Sequence, residues 1–198
     1  TASPCTITGL PNAEEYTFTV RATNRMGDSP PGTSAAVMLQ DTQTISFANP
    51  GAQAFGSTPS LMATASSNLA VGFTSLTPTV CTITPVGLLT STSTGTCTIE
   101  ARQAGNAAFA AATPVPQSFA IQAVPAAAPT LDSVRPGNAQ VSLSFTAPSF
   151  AGGEAITSYL ATSSVDGAIH TCATSPCVVT GLRNGTAYSF TLAAVTAA

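Results

Sequence analysis

Side chains able to do covalent, metal or acid–base chemistry are few in this chain: five cysteines, one histidine and eight dispersed carboxylates among 198 residues. Cys172 and Cys177 flank four residues ending in Ser-Pro, and Cys81 and Cys97 each begin a Cys-Thr-Ile run. This spacing allows two disulfide pairs and leaves Cys5 over. Metal ligation is the rival use of thiols, but no Cys-x-x-Cys accompanies the single His170, so no metal or cofactor is expected. His170 itself lies in a polar hairpin arm without a nearby nucleophile and reads as a solvated strand residue. Glu14 and Glu15 adjoin, yet consecutive residues in a turn cannot divide acid and base roles. A calcium loop would need an Asp-x-Asp cluster, which is missing. Asn184-Gly-Thr186 fits a glycosylation sequon but reads as a turn former, and Gly152-Gly153 is too short to cradle phosphate. Disulfide formation is the chemistry supported here, and no enzymatic activity is expected.

The elements that must hold these cysteines are revealed by a repeat. Cys177-Val-Val-Thr-Gly-Leu-Arg-Asn-Gly-Thr-Ala-Tyr188-Ser-Phe-Thr-Leu192 has an earlier copy in Cys5-Thr-Ile-Thr-Gly-Leu-Pro-Asn-Ala-Glu-Glu-Tyr16-Thr-Phe-Thr-Val20. Aligned on Cys5 and Cys177, the copies share a preceding Ser-Pro, the Thr-Gly-Leu corner, an Asn two residues later and the Tyr-x-Phe-Thr run. Cys5 thereby corresponds to Cys177, whose mate lies five residues earlier, at a position just ahead of Thr1. The expectation is a unit cut in its middle, with Cys5 unpaired by truncation.

Composition favours β-structure. Charged residues are 7% of the chain, Trp is absent, and short Val, Ile, Leu and Phe runs recur between turn residues, as in all-β sandwiches. The net charge of −3 includes no basic stripe for nucleic acid, and no apolar run is long enough to span a membrane. Three regions are expected: 1–40, 41–124 and 125–198. In the first, Cys5–Thr8 reads as a strand. A second strand places Tyr16, Phe18, Val20 and Ala22 on a buried face, the loop 24–32 follows, and Thr33–Gln40 returns at an edge.

The corners Leu10…Tyr16 and Leu182…Tyr188 resemble the turn between strands E and F of fibronectin type III domains, in which a Leu and a Tyr bracket the turn. In related sandwiches such a Tyr hydroxyl bonds upstream backbone. Ala147 to Tyr159, with Gly152-Gly153 ahead of Ile-Thr-x-Tyr, resembles the B–C loop and strand C of bacterial modules of that kind. The resemblance implies that 1–40 supplies strands E to G of one module. It also implies that 125–198 supplies A to F of another without its last strand, with Leu143 or Phe145 filling the space of an absent Trp. Residues 41–124, with six alternating runs beginning at Thr44-Ile45-Ser-Phe47, resemble bacterial Ig-like repeats of large surface and secreted proteins. Cys81 and Cys97 share parity with Ile83 and Ile99, which puts both sulfurs on the buried side. Arg25-Met-Gly-Asp28 is not an Arg-Gly-Asp tripeptide, so integrin-type adhesion is not implied.

These features lead to the expectation of a non-catalytic, tandem β-sandwich fragment of an extracellular or cell-surface stalk, fibre or matrix protein. Its partners would be neighbouring repeats or copies of itself. The alternative is accessory or carbohydrate-binding modules of a secreted polysaccharide-degrading enzyme or adhesin, with cell-surface glycans as partners. A third expectation is assembly by strand complementation between subunits.

Overall fold

A computed structural model describes residues 4–197, so Ser3 of the repeated Ser-Pro-Cys lies outside it. Every regular element among the described residues is a strand. The first six are two-residue pairings along one hairpin: β1 (Glu15–Tyr16), β2 (Thr19–Val20) and β3 (Thr23–Asn24) ascend, while β4 (Gly27–Asp28), β5 (Gly32–Thr33) and β6 (Val37–Met38) return. The tip is tighter than the loop expected over 24–32. Asn24 Oδ1 accepts the Met26 N–H at 2.8 Å, which lets the return arm begin at Gly27.

Two other expectations for this region are overturned. Cys5–Thr8 is not a strand, because no neighbour offers it a ladder; in the last third of the chain the equivalent residues pair with a strand from an earlier part of the sequence. The face carrying Tyr16, Phe18, Val20 and Ala22 is not buried either. Val20 is 72% exposed and none of residues 4–40 is fully buried, since a single hairpin has no second layer to pack on.

Residues 41–124 form two packed layers. One is the sheet β10–β13–β14–β8, built from β8 (Gln53–Ala54), β10 (Gly72–Ser75), β13 (Gly95–Arg102) and β14 (Val115–Gln122), with β14 and β8 parallel. The other comprises β7 (Ile45–Ser46) with β9 (Thr64–Ala65), and β11 (Cys81–Ile83) with β12 (Leu89–Ser91). Backbone bonds from Leu61 N–H to Gly87 O (2.8 Å) and Leu89 N–H to Pro59 O (3.0 Å) join these two pairs. The core combines Phe47, Leu61 and Leu89 with Phe73, Ile99, Phe119 and Ile121. Period-two alternation explains β13: Cys97, Ile99 and Ala101 are buried, while the residues between them reach the surface in part. Eight strands stand where six runs were expected, and the run Leu61–Ala63 is not among them, since β9 begins just after it at Thr64. Gln53–Ala54 and Leu89–Ser91 lack an alternating apolar pattern and are held by their neighbours.

Residues 125–197 form the second sandwich. One sheet runs β15 (Thr130–Gly137), β16 (Gln140–Thr146), β19 (Cys177–Thr180), and the other runs β18 (Ile169–Cys172), β17 (Ile156–Ser163), β20 (Phe190–Thr196). In β16, Val141, Leu143 and Phe145 point inward and alternate with partly exposed Ser142 and Ser144. Both Leu143, fully buried, and Phe145 enter the core, where Phe145 packs on Tyr159 with ring centroids 4.6 Å apart.

Candidate functional site

The two copies of the repeated corner adopt the same backbone. Gly9 and Gly181 have φ of 79° and 80°, a left-handed conformation open to glycine without a Cβ penalty. Ala13 and Gly185, again equivalent, have φ of 65° and 78°. The aromatic pairs agree as well: Tyr16–Phe18 and Tyr188–Phe190 both have centroids 6.2 Å apart, with ring planes at 22° and 19°. Each tyrosine hydroxyl reaches backbone five residues upstream, but with opposite polarity. Tyr188 Oη accepts the Arg183 N–H at 3.1 Å, whereas Tyr16 Oη donates to the Pro11 carbonyl at 3.1 Å. Pro11 has no N–H to give, so the hydroxyl changes role. Tyr16 also lies 3.2 Å from Glu14, and partial burial followed by that carboxylate raises its phenol above the ordinary value.

Leu10 and Leu182 sit half-buried at these corners, and Leu182 packs against the core of the second sandwich. Asn184 ties the corner to the β15–β16 turn: its Oδ1 accepts the Ala139 N–H at 2.9 Å and its Nδ2 donates to Asn138 Oδ1 at 2.7 Å. Its equivalent, Asn12, donates instead to Asp41. The sequon asparagine is thus engaged in turn-to-turn bonding.

Both disulfides cross between layers. Cys81 on β11 is bonded to Cys97 on β13 with Cα atoms 5.7 Å apart, and Cys172 on β18 is bonded to Cys177 on β19 with Cα atoms 5.4 Å apart. Cys81 and Cys97 are wholly buried. Cys5 is a free, exposed thiol. Such bonds form and persist in oxidising compartments.

The remaining candidates for chemistry are dispersed. His170 is half-buried on β18 opposite Ala161, less solvated than a polar hairpin arm implies, because β17 flanks it. Asp166, in the β17–β18 loop, accepts the Ala168 N–H at 3.1 Å; that bond, then one from Ser163, holds its carboxyl below the usual range. No group of three or more His, Cys, Asp or Glu side chains gathers among the described residues, and no helix there is long and apolar enough to cross a membrane.

One feature gave no signal in the sequence: Phe55, after β8, stacks on Phe150 from the β16–β17 loop with centroids 6.1 Å apart and planes at 26°. The two rings belong to different sandwiches. A Phe in a Pro/Ser/Gly-rich loop has no periodicity to mark it, so only three-dimensional proximity exposes the contact.

The chain is therefore an all-β protein with two β-sandwiches in tandem behind an N-terminal hairpin, each sandwich stapled by a disulfide. No protein-family model matches it, and no curated protein matches it. Among solved structures it is similar to domains A168-A170 of titin, at 17% identity and a TM-score of 0.39, over 91% of this chain and 69% of that one. It is also similar to the FN1-FN3 domains of chicken CNTN1, at 13% identity and 0.33, over 92% and 70% respectively. The S-layer protein rSbsC(31-844) matches at 12% identity and 0.29, with 93% of this chain aligned to 35% of that chain.

Proposed function

We propose that this chain is a non-catalytic structural segment of a large extracellular or cell-surface stalk, fibre or matrix protein made of tandem β-sandwiches. The observation that carries the proposal is the repeated corner: the shared Cys, Thr-Gly-Leu, Asn and Tyr-x-Phe-Thr, the same left-handed positions and the same five-residue tyrosine reach recur at Cys5–Val20 and Cys177–Leu192 with a different sandwich between them. That is the signature of an array whose unit is a pair of modules. In this reading residues 1–40 are the C-terminal part of one fibronectin type III-like module, 41–124 an Ig-like module, and 125–198 a second fibronectin type III-like module that lacks its last strand. Neighbouring repeats or further copies are the partners, and the two disulfides support a location in an oxidising compartment outside the cell.

Glycan binding, the rival role, has weaker support. Sugars stack on exposed flat rings, and here Tyr16 and Tyr188 bond the corner backbone while Tyr159 is 9% exposed inside the core. The test is the denaturing mass and electron-microscopic outline of the native protein. One long chain with sandwich-sized beads supports the array. A ladder of discrete subunits would overturn it in favour of strand complementation, and specific saturable binding on a glycan array would restore the rival role.

A further inference from the structure

The loop between β16 and β17 does more than connect two strands. It folds back along the linker between the sandwiches: the Ala127 N–H bonds Phe150 O at 2.9 Å, and the Val124 N–H bonds Gly152 O at 2.9 Å. At Gly152 a Cβ would fall 1.8 Å from the Val124 carbonyl oxygen, and at Gly153 one would fall 2.8 Å from ring and methyl carbons of Phe55 and Thr94. Both glycines have positive φ, 76° and 95°. The adjacent pair is therefore required by a close approach between two modules, and the approach is lined on purpose-made terms by side chains from each.

From the first sandwich come Phe55, Gly56 and Thr94. Phe55 is fixed by its N–H to Gln122 O at 2.8 Å and Gly56 by its N–H to Ser91 Oγ at 2.8 Å, so both are seated on strands of that core. From the second come Phe150, stacked on Phe55, and Glu154, whose Oε1 accepts the Thr94 hydroxyl at 2.8 Å. Phe150 belongs to neither core cluster, and its packing surface is this joint. A stacked aromatic pair, a charge-assisted hydrogen bond and two backbone bonds to the linker constrain different directions of motion.

We infer that the 147–155 loop is a lock that fixes the angle between the two sandwiches, so that residues 41–197 tumble as one rigid body. Tandem modules joined by a short linker move relative to one another by default unless their interface prevents it. Here the second sandwich contributes Phe150 and Glu154, which belong to neither core cluster, against Phe55 at the edge of the first core. The inference stands on this geometry and is independent of the stalk reading; a locked pair could serve a different role, and an array could have loose joints.

Residual dipolar couplings and 15N relaxation of the full chain test it. The unaltered protein is expected to fit one alignment tensor and one rotational correlation time across β7–β14 and β15–β20. Phe150→Ala and Gly153→Val are each expected to split the fit into two tensors and shorten both correlation times, while amide dispersion within each core stays unchanged. If either substitution collapses the second sandwich's dispersion, the paired change Thr94→Val with Glu154→Ala, which touches neither core, decides through the same split. Two tensors in the unaltered chain, or a single tensor surviving the paired change and whichever ring or glycine variant folds, overturns the lock.

Discussion

The corner at Leu182–Tyr188 and its copy at Leu10–Tyr16 have the same local conformation and opposite surroundings. In the later copy, Cys177 and Val179 are 6% and 0% exposed beneath Leu143 and Tyr159. In the earlier one, Ile7 and Val20, equivalent to Val179 and Leu192, are 56% and 72% exposed. The difference separates two contributions. Glycine at a left-handed position, a turn asparagine and a tyrosine reaching five residues back suffice to shape the corner. Burial, and the stability it brings, needs the strands of a facing sheet. A conserved shape is thus no measure of how strongly a segment is held.

Substitutions separate the contribution of burial from that of local shape. The largest effect is expected where a staple closes the longest loop: Cys81→Ala with Cys97→Ala should cost about 3 kcal/mol in urea unfolding of the first sandwich. The shorter Cys172–Cys177 closure should be worth about 2 kcal/mol on the same scale, while Cys5→Ser, at the equivalent of Cys177, leaves the unfolding midpoint unchanged. Val179→Ala should destabilise the second sandwich by about 2 kcal/mol through lost burial and the space left behind. Ile7→Ala should stay within about 0.5 kcal/mol. Equal costs for those two would show that the earlier face is covered as the later one is.

Smaller effects concern single hydrogen bonds. Tyr188→Phe removes an acceptor from the Arg183 N–H and should cost about 1 kcal/mol by thermal melting. Tyr16→Phe frees only a carbonyl in an exposed hairpin, and about 0.5 kcal/mol is its expected ceiling. Last comes Asp166. Its folded carboxyl titrates below the ordinary value, so its contribution is present above about pH 4 and is lost as pH falls through the depressed folded value. Asp166→Asn should therefore lower stability slightly at neutral pH and match the parent in acid, with the carboxyl titration followed by NMR. A midpoint at or above the ordinary aspartate value would remove that argument.

Legibility in the sequence followed the strength of periodic patterns. Val141, Leu143 and Phe145 alternate with serines and threonine, and β16 lies on them with the expected face inward. Cys97 and Ile99 do the same in β13. The run Tyr16, Phe18, Val20, Ala22 alternates just as clearly, yet its face is open, because alternation states which side could be buried and not what lies opposite. Leu89, 1% exposed, was unmarked: it sits in Leu88-Leu89-Thr90 without alternation, and its strand forms by pairing with β11, with a further backbone bond to Pro59. Phe55 and Phe150 were equally silent, being loop residues separated by most of the first sandwich.

Local chemistry in the chain dictated the left-handed glycines, the tyrosine corners, the alternating strands and the parity that turns Cys81 and Cys97 inward, since each depends on residues a few positions apart. Tertiary structure alone decided which alternating face acquired a covering sheet, that both disulfides span two layers, and that a Gly-Gly loop presses one sandwich against the next. Those outcomes depend on surfaces brought together from distant segments, and no local pattern encodes the shape of a partner that far along the chain.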